Sequence, residues 1–479
     1  FQLKSGLSWA DGAPLTADDS VYSFEVARAL FPRVRSTLLV QTASYQAMDE
    51  TLLEWRGLPG YRDPRSFQNF FIPLPRHAWG AMPVEDLLTQ DLVNRQPLGW
   101  GPYQVAEWTV GDHITLVPNP AYFRSSEGLP HFDRLVFRFP ASPQAALDAL
   151  QAGECDYVEE SAGLENLLPR VLELQQAEAI KMEAVSGTGW EGLVFNLQPV
   201  SSDPNLPPPA SLFASAEVRR AIAACIDRES IANRLWQGVS KPALGYVASG
   251  HPLASPEAAS IAYDPQAALE QLQASGWTDA DGDPATPLIS SGVPGIPDGT
   301  PLAFTLLTGD EAENATALQI QENLSGCGVQ VEVQSLPWQE LVAPGPDGPV
   351  FGRKFQAARI GRTAGVEPPC SLYTTAEIPG PFPEYPKGWG GANAGGWSLA
   401  EFDQACQRAG STLPEDLAYA EAHRQAQALF AQEMPVIPLY ERVKVAAMRP
   451  DLCGADFDAS YESSLQGLEN FDYGEACQP

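Results

Sequence analysis

The sequence is poor in positive charge and has no long apolar run. Its 479 residues include 29 Lys+Arg against 60 Asp+Glu, so the formal net charge is −31. A chain this acidic repels a phosphate backbone, which argues against a nucleic-acid-binding function. No apolar run approaches the roughly 18 residues that span a bilayer. The 44% content of hydrophobic residues nevertheless predicts a large buried core and excludes wholesale disorder.

Motifs for catalysis and metal binding are also missing. There is no GxSxG elbow, no HExxH motif, no Walker loop and no CxxC pair, and the five histidines stand singly. We therefore predict no cofactor and no metal site. Asp279, Asp281 and Asp283 alternate like the start of a calcium loop, but Pro284 follows them, and Ser290 stands where an EF-hand has Glu. The cluster is interpreted as a solvated turn.

The cysteines suit an oxidising compartment. Cys370 and Cys406 flank a long loop rich in Pro and Gly, and Cys453 and Cys477 bracket a polar C-terminal tail. Both arrangements are typical of disulfides in extracytoplasmic proteins. The alternative is that all seven cysteines are reduced core residues. The sequence offers no partner for the remaining three, which are Cys225, interpreted as a buried helical thiol, Cys155 and Cys327.

Local patterns predict an α/β protein. Residues 131–139 alternate as a strand, Ser142 and Pro143 begin a helix that Gly153 ends, and residues 155–158 form a second strand. This order favours parallel pairing with a crossover helix. Residues 201–209 are a proline-rich connecting loop by composition. Further helices are predicted at residues 218–226, 227–238, 264–276, 400–408 and 414–432, followed by a short buried strand at 436–440.

About ten short motifs, all in one order, resemble those of the family 5 extracellular solute-binding proteins, the dipeptide, oligopeptide and nickel receptors of ABC importers. The motifs are WADGAPLTADD at 9–19, IPLPRH at 72–77, GPY at 101–103, NPAYF at 119–123, LQAGECD at 150–156, FN at 195–196, VRRA at 218–221, IDRE at 226–229, YDP at 263–265 and PVIPLY at 435–440.

The resemblance implies a two-lobed periplasmic-binding-protein fold of class II, or venus-flytrap, type with an extra α/β domain. It places the extra domain at residues 1–127, the first main lobe at 128–213 and 440–479, and the second main lobe at 214–439. Family members usually have several dozen residues before the position of Phe1, often with a lipid-anchored cysteine. The implied function is capture of a peptide or related small solute and its delivery to ABC transporter permease subunits, outside the cytoplasm and without catalysis.

Residues 359–369 correspond to the segment in which family peptide receptors place an aspartate for the peptide amine. An ungapped match sets Gly365 at that position, so the usual amine anchor is absent. Arg359 and Arg362 offer donors for a carboxylate or phosphate instead, which favours an anionic ligand or an oligosaccharide. Glu367 is the candidate replacement for the aspartate. The alternative is that both arginines are ordinary loop charges or pair with nearby acids.

Aromatic residues complete the predicted ligand site. Trp389 and Trp397 lie in a glycine-rich stretch, where their rings suit stacking on a sugar or peptide, or else packing over the lobe surface. The resemblance also places Trp190 and Tyr440 near the ligand.

Two competing functions stay open. One is a surface enzyme that processes glycosides or peptides, because sixty acids guarantee some close carboxylate pairs of the kind that glycosidases use. The other is a sensory or adhesion module that has lost transport.

Overall fold

The computed structural model describes residues 1–30, 37–61, 65–201, 209–256, 258, 261–283, 285–309, 314–363, 365–461 and 463–477. Most of the predicted linker at 201–209 and Pro284 lie outside these residues. The chain divides into two compact units, residues 1–183 with 445–479 as unit 1 and residues 184–444 as unit 2. The three-part division expected from the family resemblance stays a prediction.

Helices occur throughout the chain. In chain order they are α1 (Ala17–Leu30), α2 (Thr37–Val40), α3 (Arg76–Trp79), α4 (Asp91–Asn94), α5 (Pro143–Gln151), α6 (Leu168–Gln176), α7 (Ala216–Ala224), α8 (Arg228–Trp236), α9 (Pro265–Ala274), α10 (Asn314–Ser325), α11 (Trp338–Leu341), α12 (Ala400–Ser411) and α13 (Leu417–Glu433).

The strands are, in the same order, β1 (Thr42–Ala47), β2 (Leu53–Gly57), β3 (Tyr103–Thr109), β4 (His113–Pro118), β5 (Leu135–Arg138), β6 (Tyr157–Val158), β7 (Lys181–Phe195), β8 (Trp277–Thr278), β9 (Ile289–Ser290), β10 (Ala303–Thr308), β11 (Gln330–Ser335), β12 (Ala357–Thr363), β13 (Val436–Met448), β14 (Leu452–Cys453) and β15 (Asp472–Tyr473).

Helix caps follow the sequence signals. Ser142 accepts a hydrogen bond from the backbone N–H of Ala145 at the start of α5. Asp227 and Asp264 cap α8 and α9 in the same way. Each cap satisfies a backbone donor that the first turn of a helix leaves open. The predicted helices at these places are confirmed.

Unit 1 contains small separate sheets. β3, β4 and β5 form an antiparallel meander, and β1 pairs with β2. The prediction that β5 and β6 pair in parallel across α5 is wrong. β5 completes the local meander, and β6 pairs antiparallel with Ala447 and Met448 of β13. Sequence adjacency suggested a crossover, whereas the true partner of β6 lies almost 300 residues away.

Unit 2 is built on a mixed sheet in which β11, β10, β12, β7 and β13 are successive neighbours. β10 is parallel to β11 and β12, while β12 is antiparallel to β7. Alternate residues of a strand face opposite sides. Accordingly Leu193 and Phe195 join one hydrophobic core, with α7 and α10, and Trp190 and Val194 join another, with α12 and α13. Both faces of β7 are therefore buried from Trp190 to Phe195.

Candidate functional site

Three neighbouring strands of unit 2 carry the charged residues that come together. Gly361 on β12 is the register partner of Glu191 on β7, and Arg359 is the partner of Leu193. Residues two apart on a strand share a face. The side chains of Glu191 and Arg359 therefore meet on the same side of the sheet, and β13 lies beside β7 and supplies Arg442.

Glu191 is the centre of this cluster, which we call the Glu191 cluster and define as Glu191, Arg359 and Arg442. Only 2% of Glu191 is exposed. Its Oε2 accepts a 2.7 Å hydrogen bond from Nη1 of the buried Arg359, whose Nε donates to Oγ1 of Thr308 at 3.1 Å. Its Oε1 accepts a 2.6 Å bond from Nε of Arg442 and also contacts Nη2 of that residue. One carboxylate thus holds two guanidinium groups.

Two glycines make room for Arg442. A Cβ on Gly361 would lie 2.5 Å from Nη2 of Arg442, and a Cβ on Gly189 would lie 3.2 Å from its Cδ. Gly189 and Gly361 stand on adjacent strands, and Gly189 is the register partner of Thr363. A glycine inside a strand often marks such a close approach. The backbone of both glycines therefore lies against the side chain of Arg442.

Tyr440 adds a buried hydroxyl near this cluster. Its hydroxyl lies 3.4 Å from Oγ1 of Thr316, and its ring centroid lies 6.1 Å from that of Trp236. Burial raises the pKa of the Tyr440 hydroxyl, and the charge of Glu191 raises it further. The hydroxyl stays protonated at physiological pH. Ligand binding by Tyr440 stays a prediction.

Arg362 lies apart from the Glu191 cluster. It is the register partner of Trp190 and therefore stands on the opposite face of β12 from Arg359. Its Nη2 donates to the carbonyl of Ala392 at 3.4 Å, while its buried Nε has no hydrogen-bond partner among the described residues. The two arginines predicted to act together are thus separated by the strand. A ligand role for either one stays a prediction.

The predicted aromatic residues have different surroundings. Trp190 and Trp397 are 1% and 5% exposed and belong to the core beneath α12 and α13. The Trp397 ring centroid lies 4.6 Å from that of Phe402. This placement favours packing over ligand stacking for both residues. Trp389 is only half-buried and packs on Gly345, where a Cβ would come within 2.3 Å of its ring, so stacking by Trp389 stays a prediction.

Glu367, the predicted replacement for the amine anchor, lies in the loop after β12 and is half-buried. Its charge acts on His423, a 1% exposed residue of α13. Burial lowers the pKa of His423, Glu367 opposes that shift, and His251 adds to it. Neither ring nitrogen of His423 has a hydrogen-bond partner among the described residues. Recognition of a ligand amine by Glu367 stays a prediction.

Six of the seven cysteines are paired. Cys370 bonds to Cys406 and Cys453 bonds to Cys477, the two pairs named from the sequence. Interpreting Cys225 as a thiol was wrong, because it bonds to Cys327 across 102 residues and ties α7 to the end of α10. These pairs leave Cys155 as the cysteine without a disulfide.

Metal-binding geometry is absent from the described part of the chain, where no group of three or more His, Cys, Asp or Glu side chains is placed to hold an ion. In the acidic turn, Oδ1 of Asp279 accepts from the backbone N–H of Gly282, and Thr286 donates to Asp281. Within the same described residues, no helix has both the length and the apolar character needed to cross a membrane.

Sequence reasoning missed Glu191 and Arg442. Glu191 stands in the otherwise apolar run Trp190 to Phe195, and an acid in such a strand needs a buried partner. That signal was available. Its partner Arg442 was not identifiable, because 251 residues separate the two and nothing local links them.

Comparison with known proteins adds a family. The model for bacterial extracellular solute-binding proteins, family 5 Middle, matches residues 1–381. The oligopeptide-binding protein AppA of Bacillus subtilis is 26% identical over 356 residues, which are 71% of this chain and 59% of that protein. The chain thus spans about three fifths of the length of this curated relative.

Solved structures share the fold. AppA of Bacillus subtilis in complex with a nonapeptide has a TM-score of 0.66 at 23% identity, covering 99% of this chain and 86% of that one. A periplasmic oligopeptide-binding protein of Thermotoga maritima has a TM-score of 0.75 at 21% identity, covering 99% and 87%. NikA of Brucella suis in complex with Fe(III)-EDTA has a TM-score of 0.75 at 17% identity, covering 99% and 88%. The predicted two-lobed α/β periplasmic-binding-protein fold is confirmed.

Proposed function

Because the chain belongs to the bacterial extracellular solute-binding proteins of family 5, we propose that it captures a small solute and delivers it to the permease of an ABC importer. The observation that carries this proposal is the family match over residues 1–381. A peptide is the first solute to test, since the similar AppA of Bacillus subtilis has been solved with a nonapeptide. A related small solute is the alternative.

The disulfides support a location outside the cytoplasm. Three pairs, Cys225–Cys327, Cys370–Cys406 and Cys453–Cys477, are typical of an oxidising compartment. We therefore propose that the protein works in the periplasm or on the outer face of the cell membrane. A lipid anchor outside the given sequence stays a prediction.

The Glu191 cluster is suited to a binding role. A second arginine, Arg442, joins the buried pair of Glu191 and Arg359 while 49% of its own side chain stays exposed. Fixed, partly exposed polar groups on rigid strands are what a selective binding site requires.

Native mass spectrometry of protein purified from its source without added solute tests the proposal. We expect a complex that loses a small molecule on denaturation, and chemical identification of that molecule gives the solute class. Thermal unfolding with a panel of di- to nonapeptides and oligosaccharides is the second measurement, because a ligand that binds only the folded state raises Tm. No copurifying molecule and no Tm shift with any panel member would contradict solute capture.

A further inference from the structure

Arg442 is not needed to neutralise Glu191. The buried carboxylate of Glu191 already has a full counter-charge in Arg359, since the two side chains are 2% and 3% exposed and 2.7 Å apart. Two guanidinium groups and one carboxylate together carry one net positive charge. Arg442 therefore adds a charge that the balance of the buried pair does not require.

The seat of Arg442 fixes its guanidinium in advance. Oε1 of Glu191 holds both Nε and Nη2 of the arginine, and the backbone of Gly189 and Gly361 lies beneath the side chain. A glycine inside a strand is less stable than alanine, so glycines at these two places on adjacent strands fit a required close approach of the Arg442 side chain. A group fixed before binding loses little further freedom when a ligand arrives.

We infer that Arg442 binds a carboxylate of the captured solute, an inference that rests on the proposed function. About half of the Arg442 side chain is exposed, with 49% of its area open. A guanidinium carries five N–H donors in one plane and can bridge two carboxylates, here Glu191 and that of the solute. The net charge of the cluster suits a single carboxylate better than a dianionic phosphate.

The acidity of the whole chain makes a local anchor necessary for such a solute. The net charge of −31 repels anions at long range. That repulsion is screened beyond about 8 Å at physiological ionic strength, so a fixed cation can outweigh it at contact distance. Arg442 is the exposed member of the Glu191 cluster. It is therefore the group of this cluster that distinguishes a solute with a free carboxylate from its neutral analogue.

Isothermal titration calorimetry with tetraalanine and tetraalanine amide tests the inference, because the two peptides differ only at the carboxylate. Wild-type protein, Arg442→Gln and Arg424→Gln are compared. Arg424 is a matched control, since its side chain is also 49% exposed and also pairs with a glutamate, Glu421, at 2.6 Å. Maltotriose, a neutral solute, and inorganic phosphate are titrated under the same conditions.

We expect wild-type protein to bind tetraalanine at least tenfold more tightly than tetraalanine amide. Arg424→Gln should keep this ratio of affinities. Arg442→Gln should bring the ratio close to one without lowering the affinity for the amide. Equal binding of both peptides by wild type, or an unchanged ratio in Arg442→Gln, would overturn the inference. Binding of maltotriose alone, or of phosphate in place of the peptide acid, would also overturn it and leave solute capture standing. Failure of every probe would count against both.

Discussion

The backbone of Gly361 leaves no room for a side chain beneath the guanidinium of Arg442. A Cβ on Gly361 would lie 2.5 Å from Nη2 and 2.8 Å from Cζ of Arg442, and 2.8 Å from Oε1 of Glu191. Heavy atoms at these separations overlap, so any larger residue must move the ion pair or the strand. Gly361 therefore helps to set the position of Arg442.

Replacing Gly361 with alanine should displace Arg442 while leaving every charge in place. We expect a destabilisation of about 1–3 kcal/mol from overpacking and a loss of the preference for tetraalanine over its amide. Calorimetry and urea unfolding measure the two effects. Gly410→Ala is the control, because nothing lies within 4 Å of a Cβ there. If Gly361→Ala keeps the full preference for tetraalanine over its amide, the close approach of Gly361 to Arg442 is not needed for carboxylate binding.

Glu191→Gln should be strongly destabilising. The substitution leaves Arg359 buried at 3% exposure without its counter-charge. Removing one partner of a buried pair costs about 3–5 kcal/mol, which urea unfolding would measure as a lower midpoint. Glu421→Gln removes the exposed partner of Arg424 and should cost no more than about 1 kcal/mol. Equal losses in the two variants would mean that the Glu191 pair is not effectively buried.

Trp397 should matter for stability and not for solute affinity. Its ring is 5% exposed and packs on Phe402 and Phe430. Trp397→Ala is expected to cost about 3–5 kcal/mol, while Trp397→Phe keeps an aromatic ring and should bind solute like wild type. Trp389→Ala, at a half-buried position, should cost less stability. A clear loss of affinity in Trp397→Phe at unchanged stability would instead support the stacking role predicted from the sequence.

Local signals predicted more of this molecule than long-range partners did. Ser142 and Asp264 marked helix starts because a cap acts on donors three residues away. β6 and Cys225 were misread because their partners are distant: Met448 for Tyr157 of β6, and Cys327 for Cys225. The family resemblance predicted the fold, because ten motifs in a fixed order identify a family and its topology, whereas a single local pattern does not.

The candidate site shows the same division. Arg359 and Tyr440 were placed near the ligand by resemblance, and the structure sets both within electrostatic reach of Glu191. Glu191 had a readable signal, an acid in an apolar strand. Arg442 had none, because its importance comes from two glycines and an acid on other strands. Side chains alternate between the two faces of β12, so Arg359 and Arg362 lie on opposite faces. The sequence interpretation took this segment for a loop and therefore did not predict the separation.

The contribution of each disulfide to the folding stability of the protein should increase with the length of chain that the disulfide closes. Cys225–Cys327 spans 102 residues and Cys453–Cys477 spans 24. In the chain-entropy account, removing them costs about 4.7 and about 3.4 kcal/mol respectively, measured by denaturant unfolding of paired alanine variants. Thiol titration of unreduced, denatured protein should find one thiol per chain, Cys155. Seven thiols, or a larger loss on removing the shorter loop, would contradict this assignment.

His423 should make the folded protein less stable in mild acid. It is 1% exposed on α13, its ring centroid lies 4.6 Å from that of Tyr419, and both ring nitrogens are without hydrogen-bond partners among the described residues. Burial lowers its pKa below the ordinary 6.5, His251 lowers it further, and Glu367 partly opposes the shift. The unfolded chain therefore takes up a proton at a higher pH than the folded chain does.

Stability linked to His423 is thus unaffected above about pH 6.5 and falls as the pH drops from that value toward the lower pKa of the folded state. His423→Phe keeps a ring of similar shape and removes the titration. We expect the difference in unfolding free energy between the variant and wild type to be constant from pH 7 to 8 and to shift in favour of the variant from pH 6.5 to 5, measured by urea unfolding at each pH. All other titrating groups are common to both proteins and largely cancel in this difference. Parallel stability curves down to pH 5 would mean that the pocket of His423 admits the charged ring, with Glu367 outweighing burial.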